Sequence, residues 1–218
     1  MTTRAIPNEL LEDALQWRYA TKRFNPGKKI SPRDWATLER SLLEAPSSFG
    51  LQPWLFVTVA SEGLRAELRP HSWNQPQVVE ASNLIVLAAR TSVDASYVDG
   101  YVQRISQVRG VPASALEGYR TMMNGFISSL TAPGAVEAWC THQVYLALGM
   151  LLSCAASLEI DACPLEGIDR TAYNEILDLP GRGFSAKVAV ALGYRSDDDE
   201  LARMAKVRFP AEQVFERR

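Results

Sequence analysis

Apolar residues recur at helical spacing in several separate stretches of the chain. Leu10, Leu11, Ala14, Leu15 and Trp17 predict a first helix over residues 8–17, which delivers Arg18 to Lys22 at its exit. Ser31-Pro32-Arg33-Asp34 predicts a second start. Serine can cap it, proline needs no N–H partner at the first helical position, and an acid favours the first turn. Trp35, Leu38 and Leu42 give this helix one apolar face, which stops before Pro46. Pro46 to Pro53 reads as an ordered turn and residues 54–60 as a buried strand. Ser61 is a cap for a short helix reaching Arg69, and residues 84–89 form a further apolar strand candidate.

Residues 95–130 read as an excursion of mobile helices, interrupted by polar stretches and by Gly110, Pro112 and Gly118. The strongest helical pattern runs over residues 136–158, where Trp139, Gln143, Leu146, Met150 and Ser153 form one row. Val144, Leu148, Leu151 and Ala155 form a second. Apolar groups surround so much of this helix that it must be buried on more than one face, in its own core or in a dimer interface. A short extended piece at 161–164, a helix capped by Asp169 and a strand at 186–192 follow. The last stretch, 197–218, has no core pattern, yet Val207, Phe209, Val214 and Phe215 are too apolar for a free tail. Docking on a second copy or on the chain's own domain would satisfy them. The pattern supports a mixed α and β domain without deciding the sheet order.

Composition narrows the function classes. The chain has 218 residues and a formal net charge of −2, with 47% hydrophobic and 22% charged residues. That fits one compact domain and disfavours a nucleic-acid binder driven by bulk charge. No apolar run approaches the roughly 20 residues of a membrane-spanning helix. The opening Met1-Thr2-Thr3-Arg4-Ala5-Ile6-Pro7 lacks the apolar core of a signal peptide. Cys140, Cys154 and Cys163 contain no CxxC pair, as expected of a reduced, cytoplasmic protein with buried thiols.

Four short segments carry the candidate chemistry. Arg18-Tyr19-Ala20-Thr21-Lys22-Arg23-Phe24 and Lys206-Val207-Arg208-Phe209-Pro210 put cations near both ends. Any one of these cations alone reads as solvated surface charge. Lys206 and Arg208, however, alternate with apolar residues, so in an extended segment both face one way. Two such cations can grip one phosphate. Between them lie Pro46-Ser47-Ser48-Phe49-Gly50-Leu51-Gln52-Pro53-Trp54, read alone as a rigid loop feeding a strand, and Pro164-Leu165-Glu166-Gly167, read alone as a strand-to-helix turn. Trp73-Asn74-Gln75-Pro76-Gln77 adds two amides on a polar turn.

In chain order, residues 18–24, 46–54, 164–167 and 206–210 resemble the nitroreductase family of FMN-dependent oxidoreductases. The resemblance covers most of the chain and is weakest from about Ser92 to Gly134. It implies an α+β fold in which helices flank a central mixed or antiparallel sheet. Residues 1–218 form a single domain with a helical excursion at about 92–134. An extension at about 197–218 embraces the partner in an interlocked homodimer, with FMN at the interface. By the same resemblance, Arg18, Tyr19, Ala20 and Lys22 meet the flavin phosphate, ribityl chain and ring edge, and Lys206 and Arg208 hold the phosphate. Pro46, Ser47 and Ser48 reach the flavin of the neighbouring subunit. Asn74 and Gln77 face the pyrimidine edge. Pro164, Leu165, Glu166 and Gly167 lie against the ring, with the main chain of Glu166 near N5, and Phe126 helps to cover the acceptor site. Relatives commonly have serine at Ala20, asparagine at Gly50 and, in some, lysine at Gln77.

The implied activity is ping-pong reduction of nitroaromatics, quinones or related electron-poor acceptors by NADH or NADPH through FMN, with no catalytic side chain. A specialised member, such as a dehalogenase or an enone or pteridine reductase, remains the alternative, as does a flavin-binding redox sensor without substantial turnover. Other motifs point nowhere. Gly181-Arg182-Gly183-Phe184-Ser185-Ala186 fits G-x-G-x-x-A but precedes a strand and opens no helix, the reverse of a dinucleotide fingerprint. His71 and His142 lack partners at metal-ligand spacing, and no nucleophile elbow occurs.

Overall fold

The strands predicted at residues 84–89 and 186–192 lie side by side at the centre of the structure, a computed structural model that describes residues 6–218. The segment from Met1 to Ala5, part of the stretch read above as lacking a signal-peptide core, lies outside the described residues. The regular elements run α1 (Asn8–Trp17), α2 (Pro32–Leu43), β1 (Trp54–Thr58), α3 (Glu62–Leu68), α4 (Gln77–Glu80) and β2 (Asn83–Arg90). Then come α5 (Ala95–Arg109), α6 (Glu117–Ser129), α7 (Ala135–Ser157), β3 (Asp161–Leu165), α8 (Arg170–Ile176), β4 (Phe184–Gly193) and α9 (Ala211–Val214).

The sheet has the order β1-β2-β4-β3 and every pairing is antiparallel. The fold is therefore α+β, and the choice between a mixed and an antiparallel sheet falls to the second. β2 and β4 are apolar on both faces because helices cover both. Ile85, Leu87 and Ala89 point into one core with Val188, Val190 and Leu192, against α2, α5, α6 and α7. Leu84, Val86 and Ala88 point the other way, into a second core with Leu68, Val78 and Tyr173. A bulge after Leu87 leaves Lys187 without an opposite residue. Its ammonium, released from the ladder, pairs with Glu137 of α7.

β1 differs from expectation. It occupies a sheet edge, ends at Thr58 and is only half-buried. An apolar run does not reveal whether a strand is central or peripheral. The excursion is also more integrated than a peripheral addition, since Val98, Val102 and Met123 are fully buried in the main core. α7 buries all of its row Val144, Leu148, Leu151 and Ala155, but of the other row only Gln143 is buried, and Leu146 and Met150 are exposed. Of the thiols, Cys140 and Cys163 are buried but Cys154 is only half-buried. The apolar side chains of the tail are not covered by its own domain: Val207 is 84% and Phe209 79% exposed.

Candidate functional site

The predicted cationic loop leaves α1 and is stitched into the domain along its length. Ala20 bridges to Ala162 of β3, and Phe24 bridges to Arg195. Asp199 is nearly fully buried, and one of its oxygens accepts from the Tyr19 hydroxyl (2.9 Å), the Lys22 N–H (2.7 Å) and the Arg23 N–H (3.1 Å). Burial pushes its pKa up, but these donors outweigh that and hold it below the usual carboxylate value. Burial and the same contact push the Tyr19 hydroxyl well up, so it remains a donor. Asp161 accepts from the Thr21 hydroxyl at 3.2 Å and from the Arg195 N–H and Nε at 2.7 and 2.8 Å. The Arg195 guanidinium lies over the rings of Trp17 (4.1 Å) and Tyr19 (4.7 Å).

The tail then returns its cations to this loop. A cavity of about 550 Å³ is lined by Tyr19, Ala20, Lys22, Arg195, Lys206 and Arg208, among others. Lys206 donates from Nζ to the Leu15 carbonyl at 2.7 Å, which closes α1 and the tail on each other. Burial lowers the Lys206 pKa, and the neighbouring charges of Arg18 and Arg208 lower it further. Lys206 and Arg208 thus meet Tyr19, Ala20 and Lys22 from the opposite end of the sequence, while Arg18 is not among the cavity's lining residues and acts on Lys206 through its charge. Residues 204–210 form no strand, and Val207 lines the same cavity, so strict alternation is not what aims the cations. Arg195 was not anticipated. It lies two residues past the end of β4, in the bridge to Phe24, and only the fold places it beside Trp17.

Lys22 links the cavity to a second wall. Its Nζ lies 3.9 Å from the Cys163 sulfur, and Gln77 Nε2 approaches the same sulfur at 3.9 Å. Burial pushes the Cys163 thiol up, with Lys22 opposing. Gln77 is 2% exposed, and its Oε1 has no hydrogen-bond partner among the described residues. A buried acceptor left unmatched costs about 1–3 kcal/mol unless a ligand or water supplies a donor. Trp73 and Asn74 both adopt left-handed backbone angles, φ 52° and 55°, and Gln75 Nε2 donates to the Gly167 carbonyl at 3.4 Å. The Trp73 ring lies so close to Gly167 that a Cβ there would stand 2.7 Å from it. The Glu166 carboxylate accepts from the Tyr145 hydroxyl, which burial and this contact push up to about 12. Gln77 thus meets Cys163, and Trp73 and Gln75 meet Gly167, so the 73–77 turn lies against the segment from Cys163 to Gly167. Leu165 is buried in the second core, and the Asn74 carbonyl accepts from Arg69 Nε at 3.3 Å.

Pro46, Ser47 and Ser48 do not join that wall within one chain. The Ser48 N–H donates to Gln143 Oε1 at 2.8 Å, and Ser47 Oγ accepts from the Gln52 N–H at 2.9 Å. Tyr119 donates to the Phe49 carbonyl at 2.7 Å and Tyr97 to the Leu51 carbonyl at 2.8 Å. Gln143 and Tyr145 are two positions apart on α7, about 200° around the helix. The serine loop thus lies across α7 from the Glu166 contact. Phe126 stays with the loop, 5.2 Å from the Phe49 ring and 5.6 Å from Trp139. Gly50 has φ 73°, and a Cβ there would overlap the Tyr101 hydroxyl, so a larger residue would have to displace that side chain.

The comparisons agree with this architecture. The sequence pattern described as the nitroreductase family matches residues 15–194. The chain is 35% identical over 196 residues to a Bacillus subtilis (strain 168) protein provisionally named NAD(P)H nitroreductase YfkO, covering 85% of this chain and 89% of that one. Its fold superposes on the provisionally assigned nitroreductase ydfN of Bacillus subtilis with a TM-score of 0.83 at 19% identity, over 95% of this chain and 98% of that one. It also superposes, over 100% of both chains, with a TM-score of 0.79 and 19% identity on a similarly assigned protein of Exiguobacterium sibiricum 255-15, solved in complex with FMN. The span of the family match and the identity to a full-length relative show that this chain belongs to the nitroreductase family.

Proposed function

We propose that the chain is an FMN-dependent oxidoreductase that uses NADH or NADPH to reduce nitroaromatics, quinones or related electron-poor acceptors. The observation that carries this reading is the meeting of Lys22, Lys206 and Arg208, from both ends of the chain, on one cavity beside the Gln77 wall. The residues present suit FMN. Converging cations match a phosphate, and an orphaned buried carbonyl matches a ring N–H donor. FMN bound there supplies two-electron transfer at N5, from the nicotinamide to the acceptor in ping-pong order.

The chain's own groups bind and orient. Arg18, Lys22, Lys206 and Arg208 hold the phosphate end, while Tyr19 and Ala20 line the path from it. Asn74 and Gln77 meet the pyrimidine edge, and residues 164–167 support the ring. Pro46, Ser47, Ser48 and Phe126 lie across α7 and reach a flavin only from a second copy of the chain. Exposed Leu146, Met150, Val207 and Phe209 are suited to burial in such a homodimer.

The test is direct. Purified protein should be yellow, and its flavin absorbance should bleach anaerobically on adding NADH or NADPH and return with a quinone or nitroaromatic acceptor. Protein that gains neither flavin nor activity when FMN is supplied would end this reading. FMN that binds but is not reduced by either nicotinamide would point to a redox sensor instead.

A further inference from the structure

The connection between β4 and the tail buries a carboxylate that makes no ion pair among the described residues. Asp199 is 2% exposed, and both oxygens are occupied. Oδ2 accepts from Tyr19 Oη, Lys22 N and Arg23 N, while Oδ1 accepts from Leu201 N at 3.1 Å and so opens the turn at 200–203. The first set of contacts belongs to the loop that carries Arg18 and Lys22. The second belongs to the segment that leads to Lys206 and Arg208.

We propose that Asp199 is a positioning residue of the phosphate cleft, fixing the 18–23 loop and locking it to the root of the tail so that both sets of cations converge. The inference rests on the FMN reading above. Like charges brought this close repel one another, and an empty cleft has no anion to hold them. Something must restrain the two segments from the back, and hydrogen bonds from one buried acceptor to both do so. Neighbouring stitches run the same way: the Ser196 N–H donates to the Arg23 carbonyl at 2.9 Å and the Asn25 N–H to the Tyr194 carbonyl at 2.8 Å. Asp199 is the side chain that reaches both the loop and the turn that begins the tail.

Charge and position make opposite predictions here. As a negative charge behind a phosphate site, Asp199 opposes anion binding, so its removal would tighten FMN. As a clamp, it favours binding, and its removal loosens FMN. The experiment compares wild type, Asp199→Ala and Asp199→Asn by flavin-fluorescence titration with FMN and with riboflavin, which lacks the phosphate. Circular dichroism checks folding. Asp199→Ala should raise the FMN Kd about tenfold or more, with a change for riboflavin of about threefold or less. Asp199→Asn keeps an acceptor for Lys22 and Arg23 but loses charge and one contact, so it should weaken FMN by about threefold to tenfold. Either variant binding FMN as tightly as wild type, or more tightly, overturns the proposal, as does an equal loss for riboflavin. Should the alanine variant fail to fold, the asparagine variant decides by the same criterion. Wild type that binds no FMN would instead reject the flavin reading on which this rests.

Discussion

Arg208→Ala isolates the phosphate end of the site with little disturbance of the protein around it. The guanidinium donates to the adjacent Val207 carbonyl at 2.6 Å and makes no ion pair among the described residues, so its loss should cost the flavin-free protein little. It should even relieve Lys206, whose pKa is lowered by burial and then by Arg18 and Arg208. With FMN bound the sign reverses. A charge-assisted hydrogen bond to a phosphate contributes about 1.5–3 kcal/mol. At about 1.4 kcal/mol per tenfold, the FMN Kd should rise about 10- to 150-fold. Titration of flavin fluorescence measures this, with riboflavin as the control that should barely change. Because the site is open to solvent, wild-type affinity should fall with salt, and the variant should fall less steeply. Unchanged FMN affinity, or the same loss for riboflavin, would remove Arg208 from the site and undo the reasoning from convergence.

Three further outcomes follow from contacts elsewhere. Arg65 is buried and donates to the carbonyls of Val59 (2.9 Å), Ala81 (2.7 Å) and Ser82 (3.0 Å), so Arg65→Ala leaves these acceptors stranded. It should cost about 3 kcal/mol in denaturant unfolding with an unchanged slope, and a loss under about 1 kcal/mol would refute that role. Gly167→Ala should push the 80% exposed Trp73 ring off its seat, shifting tryptophan emission with little loss of stability. The shift should vanish in a Trp73→Phe background. Tyr145 has its pKa raised to about 12 by burial and by Glu166, so its contribution is complete below its ordinary value near 10 and lost as pH rises through about 12. Tyr145→Phe should therefore flatten the alkaline limb of the stability profile between those values, and an unaltered limb would contradict the assignment.

What could be read from the sequence was local. Ser31, Ser61 and Asp169 cap the helices expected of them, because a capping side chain reaches only two or three residues along the chain. Residues 8–17 and 135–157 form helices close to their predicted bounds for the same reason. Distant chemistry was not legible in this way. Asp199 meets Lys22 across 177 positions, and no spacing rule announces that pairing. Gln143 looked like a member of a buried row on α7, yet its amide holds the serine loop by the Ser48 N–H. Ring-seating by Gly167 was hidden because Trp73 lies on another segment, in a left-handed turn that tryptophan rarely adopts. The cation segments are legible through a resemblance to relatives, whereas Arg195, which bridges to Phe24 just past β4, carries no motif that marks it.

The site's electrostatics explain why so many of its supporting contacts are carboxylates placed behind the cleft. Lys22, Arg195, Lys206 and Arg208 concentrate positive charge around one cavity in a chain whose formal net charge is only −2, and the charge of Arg18 also reaches Lys206. Left alone, that concentration would favour an open loop and a loose tail. Asp161 neutralises Arg195 and fixes Thr21, while Asp199 fixes Tyr19, Lys22 and Arg23 through donors other than cationic side chains. Neither acid pairs with the side chain of Lys22, Lys206 or Arg208 among the described residues. The loop is therefore held in place without Lys22, Lys206 or Arg208 being neutralised by a carboxylate among the described residues. If the cavity takes a phosphate as proposed, cations held in place in this way meet it without first having to be ordered or freed from a carboxylate.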